Sequence, residues 1–321
     1  SPIMDQMRKI VNEGYSVFVF PEGTRSYDLE IKRFHQGAFL IASELNLDIV
    51  PVISYGSGNA MPKFETFLKT SPVSMTILPR IKPDSPLIKD TLLATSKSVR
   101  HYMQEEYALI RKEFETPAFF RKKVIRNYLY RGPVLEWYMK VKIRMEDHYQ
   151  LFHENLPDQG LITDMGCGYG FMSYMLQLMA PGRQILAYDY DVDKIDTANH
   201  CALRNKHTHF IHADVTQLDL EYSDAFIMAD VLHYMPEKEQ QRLITKCVAK
   251  LNKKGVIIIR DADADMKKKH LGTKVSEWLS THIGFNITEG KEHKLYFSSK
   301  EKYLVVFAKL NLEVQIIDHT K

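Results

Sequence analysis

From residue 160 onward, short apolar runs alternate with longer stretches whose apolar residues recur at helical spacing. Residues 161–164, 184–188, 208–212, 225–228 and 255–260 predict strands, and residues 194–205 and 237–251 predict helices between them. Regular alternation of this kind predicts a mostly parallel sheet covered by helices on both faces. The end of the chain reads differently. Residues 295–297 and 303–308, joined through 298–302, predict a closing antiparallel hairpin.

The first 115 residues carry a second pattern. An apolar run at 16–20 is stopped by Pro21 and predicts a strand. Residues 36–45 place Ala38, Phe39, Ile41, Ala42 and Leu45 on one helical face. Strands are predicted at 48–53 and 73–78, an irregular connection at Pro79, Pro83 and Pro86, and a long helix at 91–115. Between the two patterns, residues 116–150 mix basic and aromatic side chains, and Gly132-Pro133 breaks them into two helical pieces. The organisation predicted is α/β throughout: a partial domain at 1–115, a basic, aromatic helical bridge at 116–150, and a complete domain at 151–321.

Composition adds bounds. A chain of 321 residues with 45% hydrophobic and 26% charged residues is an ordinary folded protein of about two domains. A net charge of +3 argues against nucleic acid as a partner. No apolar stretch approaches the ~20 residues that span a bilayer, and the first residues do not resemble a signal peptide. Cys167, Cys201 and Cys247 are too far apart for a zinc site, so no metal site is expected, and their odd number fits a reducing compartment.

The strongest chemical signal is the loop Asp164-Met165-Gly166-Cys167-Gly168-Tyr169-Gly170, delivered by one predicted strand and followed by a helix near Phe171. Its glycines permit a tight turn and let a ligand approach the backbone. The third glycine comes one position earlier than in the dinucleotide pattern G-x-G-x-x-G, so the loop need not hold a pyrophosphate. Acidic residues close the next three strands: Asp189, 19 residues past Gly170, then Asp214, then Asp230. Carboxylates at strand C-terminal ends suit the hydroxyls and amino group of a nucleoside.

This arrangement, over about residues 140–310, resembles the class I S-adenosylmethionine-dependent methyltransferases. The resemblance implies a Rossmann-like sheet with a terminal antiparallel hairpin and S-adenosylmethionine as cofactor. It implies that Asp164, Gly166 and Gly168 position the methionine portion, that Asp189 holds the ribose and Asp214 the adenine edge, and that Cys167, Gly170, Tyr190 and Val215 also belong to the cofactor site. Asp230 would border donor and acceptor. An oxygen acceptor needs a base. His233, just past the fourth strand, is the expected one, with Tyr234 orienting the acceptor and Asp261 and Asp263 as other options.

The other distinctive string is Phe20-Pro21-Glu22-Gly23-Thr24-Arg25-Ser26, where Thr24 and Arg25 offer donors suited to a phosphate. With Phe34-His35-Gln36-Gly37-Ala38 and Val50-Pro51-Val52 it resembles the second half of the lysophospholipid (glycerol-3-phosphate-type) acyltransferases. The resemblance implies Glu22, Gly23, Thr24 and Arg25 as acyl-acceptor, phosphate-side residues. The family's His-x-x-x-x-Asp pair is expected upstream of this string, and no histidine precedes it here. That spacing is read at His209 to Asp214, in the other half. The acyltransferase part is therefore expected to be inactive, as a remnant or as the product of a truncated start. The pairing of domains also resembles the C-terminal part of bacterial trifunctional exporter/acyltransferase/methyltransferase proteins, which implies an upstream membrane exporter domain.

The expected function is methyl transfer to a small-molecule, lipid-like or carrier-bound acyl or aryl acceptor, in the cytoplasm or at the inner face of the membrane. The bridge offers a peripheral membrane contact as one reading and a solvated helix pair as the other. The alternative function is a non-catalytic lipid- or partner-binding module built from remnant domains. A dehydrogenase is disfavoured by the glycine spacing.

Overall fold

The computed structural model describes residues 2–26, 29–61, 63, 66–68, 70–145, 148–261 and 295–317. The chain divides into two compact units, Ser1–Glu115 and Thr116–Lys321.

In the first unit, α1 (Pro2–Asn12) leads into the run at 16–20, which is not a strand. It has no ladder partner among the described residues, and Phe18 and Phe20 are 67% and 77% exposed. An apolar run becomes a strand only where a neighbour takes up its N–H and C=O groups, so the expectation fails for want of a partner. Then come α2 (Gly37–Glu44), β1 (Val52–Tyr55), the short α3 (Ser57–Ala60) and β2 (Ser74–Ile77). β1 and β2 pair antiparallel, from Val52 opposite Ile77 to Tyr55 opposite Ser74. Pro51 has no N–H to donate, and β1 starts just after it. α4 (Leu92–Phe114) begins where the Thr91 side chain accepts a hydrogen bond from Ala94 N, and it buries Val99, Met103, Tyr107 and Ile110 along one stripe.

The second unit opens with α5 (Pro117–Arg126), capped by Thr116 and started by Pro117. A short 3-10 turn and Gly132, at φ +93°, separate it from α6 (Pro133–Met145). Both helices bury stripes, Phe120 and Val124 from α5 and Leu135, Met139 and Ile143 from α6, in the same core as the parallel sheet. The helices expected as a bridge are thus part of this unit. α7 (Tyr149–Glu154) follows, then β3 (Gln159–Met165), α8 (Phe171–Met179), β4 (Gly182–Asp189), α9 (Val192–Asn199), β5 (Thr208–His212), β6 (Ser223–Ala229), α10 (Glu237–Ala249), β7 (Leu251–Arg260) and α11 (Lys300–Lys309).

The sheet is parallel and Rossmann-like, in the order β5-β4-β3-β6-β7. The chain crosses from one side of β3 to the other between β5 and β6, so the ligand crevice belongs at the C-terminal ends near β3. At the opposite end, the fully buried Arg183 side chain donates to Pro157 O (2.7 Å), Leu176 O (3.0 Å) and His153 O (3.0 Å). The last two carbonyls belong to the ends of α8 and α7, where a cation is favoured.

The predicted hairpin is corrected. Residues 295–299 are not strand, and 303–308 lie within α11. Tyr303, Val306, Phe307 and Leu310 recur at helical spacing and pack on the core formed by Met228, Leu232 and Ile244. A short apolar run fits a strand or a buried helical face equally well, and here the packing decides.

Candidate active site

Five strand ends converge on the crevice. β3 delivers the glycine loop, in which Gly166, Gly168 and Gly170 have φ of +82°, +55° and +76°. Gly166 N and Cys167 N both donate to Tyr188 O at the end of β4, which folds the loop over the strand ends. The three glycines do different work. A Cβ on Gly166 would lie 2.5 Å from Val231, and one on Gly170 would lie 2.4 Å from Phe210, so these two are required by packing. A Cβ on Gly168 would meet nothing within 4 Å, so there the backbone faces open space.

Asp164 is buried beneath the loop and accepts from the Ser173 hydroxyl at 2.6 Å. Cys167 is also buried, and its thiol is pushed well up, first by burial and then by Asp164 and Asp189. Asp189, only 7% exposed, accepts from Gly168 N at 2.7 Å through one oxygen and from Asp191 N at 2.9 Å through the other. Each carboxylate oxygen has a second lone pair, so Asp189 ties the loop to β4 and keeps acceptor capacity. Tyr190 is half-exposed beside it. Asp214 is exposed past β5, where Oδ1 accepts from Thr216 N and its hydroxyl, while Val215 turns into the core.

Asp230 follows β6 with a left-handed φ of +55°. Its carboxylate pairs with Arg260, whose Nε donates to Oδ1 at 3.3 Å and whose Nη2 donates to Oδ2, and its N–H donates to Arg260 O at 2.8 Å. Burial would raise its pKa, but Arg260 and then Lys142 outweigh burial and hold the carboxyl below the usual range. The Arg260 guanidinium lies 5.7 Å from the centre of the Phe152 ring. No sequence motif marks Arg260. Its signal was a cation closing the last parallel strand, opposite an aspartate closing the previous one.

His233 lies three residues on, in a 3-10 turn after β6, and is 3% exposed. Its Nδ1 is 2.6 Å from Asp261 Oδ1, and its backbone N donates to Asp261 Oδ2 at 3.1 Å. The ring lies against Tyr234, with centres 4.4 Å apart, and stacks on Phe297 at 5.1 Å. Tyr234 is 44% exposed. Asp261 and His233 thus form a sequestered pair, whereas Asp263 lies outside the described residues.

In the first unit, the string Glu22 to Arg25 forms an exposed turn rather than a strand end. Glu22 accepts from Lys32 N at 2.9 Å, and Arg25 Nη1 donates to Met61 O at 3.1 Å. Gly23, at φ +67°, sits against the His35 ring, which a Cβ would approach to 3.1 Å. Thr24 is exposed. Tyr107 OH and Gln104 Nε2 hold the following segment by donating to Leu29 O and Ile31 O. The His-x-x-x-x-Asp spacing also occurs at His153 to Asp158, in addition to His209 to Asp214. There the carbonyl of His153 accepts from Arg183, and Asp158 lies 3.6 Å from the same guanidinium, so the spacing serves the Arg183 clamp.

Residues 162–255 match the family described as "Methyltransferase domain", and residues 1–55 match the family described as "Acyltransferase". A 1-acyl-sn-glycerol-3-phosphate acyltransferase of Chlamydomonas reinhardtii is 34% identical over 82 residues, 25% of this chain and 25% of that protein. A chloroplastic enzyme of the same name from Brassica napus is 46% identical over 54 residues, 17% of this chain and 16% of its own length. The chain thus spans a quarter or less of these two relatives. A solved methyltransferase of calicheamicin biosynthesis, in its SAH-bound form, has TM-score 0.39 and 12% identity, covering 55% of this chain and 50% of its own. A Bacillus subtilis protein has TM-score 0.42 and 14% identity, covering 53% and 70%.

Proposed function

We propose that this chain, which joins an acyltransferase-family segment at residues 1–55 to a methyltransferase domain at residues 162–255, transfers a methyl group from S-adenosylmethionine. The observation that carries the reading is Asp189, a buried carboxylate hydrogen-bonded to Gly168 N, the one loop glycine whose Cβ direction is open. The residues present fit the donor. Gly166 and Gly168 with Asp164 would hold the methionine portion, Asp189 the ribose hydroxyls, and Asp214 with Tyr190 the adenine side.

S-adenosylmethionine, when bound, supplies an electrophilic sulfonium methyl, so the protein's main work is alignment. The Asp261 carboxylate fixes the ring of His233 by accepting from Nδ1–H, which leaves Nε2 as the basic atom. Nε2 would take the proton of a hydroxyl acceptor, and Tyr234 would orient that acceptor from the exposed side. The acceptor class is a small-molecule, lipid-like or carrier-bound acyl or aryl compound. The Glu22–Arg25 turn is the phosphate-side part of the acyltransferase segment. Within residues 1–115, His35 and His101 are the histidines, and neither is followed five positions later by aspartate. Three buried free cysteines fit a reducing, cytoplasmic setting.

Isothermal calorimetry tests the reading. S-adenosylmethionine is expected to bind, and Asp189→Ala to weaken it at least tenfold. No heat at millimolar ligand would return the chain to the non-catalytic binding module. In a validated assay, His233→Ala should lower turnover by about 100-fold or more with little change in donor affinity. Unchanged turnover would remove His233 from the mechanism.

A further inference from the structure

The stretch 117–145 holds eight basic residues and one carboxylate, Glu136, in a chain whose totals are 43 basic and 40 acidic residues; the rest of the chain is therefore net acidic. The fold gives this segregated charge a direction. α5 buries Phe120 and Val124, and α6 buries Leu135, Met139 and Ile143, all in one core. Because α5 and α6 also pack against each other, their opposite stripes lie side by side on the outside. Lys122, Arg126, Lys140 and Arg144 are exposed there, and Lys140 pairs with Glu136. Among these cations Val134 and Trp137 are 59% and 55% exposed.

We propose that this face docks the second unit on an anionic phospholipid bilayer. Cations draw the helices to the lipid phosphates, and Val134 and Trp137 enter the headgroup layer, which suits an aliphatic side chain and an indole together. Charge complementarity selects an anionic occupant, and an exposed valine and indole set among the cations favour the headgroup layer of a bilayer over a nucleic acid. The connection between the two helices is pinned to the glycine loop, because Tyr128 OH donates to Tyr169 O at 2.7 Å. Docking would therefore hold the crevice near the lipid surface, as a lipid-like acceptor requires. The docking itself does not rest on the methyl-transfer reading.

Vesicle flotation of the full chain tests the proposal, using phosphatidylglycerol/phosphatidylcholine vesicles against phosphatidylcholine alone. Binding is expected to the anionic vesicles only, and to weaken with salt. The variant Lys122→Gln/Arg126→Gln/Arg144→Gln should lose about a hundredfold in partitioning, since each near-surface charge is worth about fivefold. Circular dichroism and S-adenosylmethionine calorimetry of that variant separate loss of docking from misfolding and from failure of the donor reading. In a Trp278→Phe background, Trp137 emission should shift to shorter wavelength on anionic vesicles. No binding at low salt, equal binding to both vesicles, an unshifted Trp137, or preferential binding of an oligonucleotide would each overturn the proposal.

Discussion

Two segments that read as strands in the sequence, one in each unit, lead into a distinctive string, and they end up differently. Residues 161–165 lie in β3, flanked by β4 and β6, and Ile162 and Met165 are fully buried. Residues 16–20 lie beside no strand among the described residues, and their phenylalanines face outward. The local signal is the same in both. What differs is whether neighbouring strands complete the ladder and cover the side chains, so the turn after 161–165 is a rigid crevice wall and the turn after 16–20 is a surface loop.

The largest effect expected from this comparison comes from the end of the sheet away from the crevice. Arg183→Ala strips donors from the carbonyls of Pro157, Leu176 and His153 and should destabilise the second unit by about 3–5 kcal/mol. Phe18→Ser in the first unit should stay within about 0.5 kcal/mol, because that ring buries little. Chemical denaturation of the two variants reads the contrast, and equal losses would break it.

Within the loop, Gly166→Ala must absorb both a left-handed φ and Val231 at 2.5 Å, whereas Gly168→Ala meets only the φ. The first should cost about 2–3 kcal/mol and the second about 1–2 kcal/mol. Donor affinity should fall more steeply in the second, relative to the stability lost. A Gly168 variant that binds S-adenosylmethionine normally would show that the open side of the loop is not where the ligand lies.

The last effect concerns Asp230, beside the crevice. Its carboxyl is held below the ordinary value of 3.8, so its contribution is fully present above that pH and is lost as pH falls further. Asp230→Asn keeps a residue that tolerates left-handed backbone. It should destabilise by about 1–2 kcal/mol at pH 7 and progressively less as pH falls below 3.8, read as paired urea titrations. A penalty independent of pH would mean that Arg260 is not its charge partner.

The strands of the second unit were legible because each contains a short apolar run between turn residues, and the acidic strand ends followed from their order. The helical fate of 303–308 was not legible, because an apolar run of that length fits either period until Tyr303, Val306, Phe307 and Leu310 find the core. The pairing of His233 with Asp261 joins residues 28 apart in sequence on adjacent strand ends, and only the β6–β7 alignment brings them within 2.6 Å. Arg260 escaped notice because motif reading follows carboxylates, while the cation opposite Asp230 becomes meaningful only once the strands lie side by side. The differing duties of the three loop glycines were equally hidden, since Val231 and Phe210 approach them from distant parts of the chain.

The burial of α5 and α6 has a consequence for anyone expressing the second unit alone. Motif spacing invites a start near residue 151, yet that cut removes Phe120, Val124, Tyr128, Leu135, Met139 and Ile143 from a core they share with Tyr174, Met175 and Ile185. The shortened fragment would bare a greasy wall and lose the peg on Tyr169, and it should come out of cells as insoluble material. A fragment begun at Thr116 carries its own cover, with a helix cap already in place at its first residue.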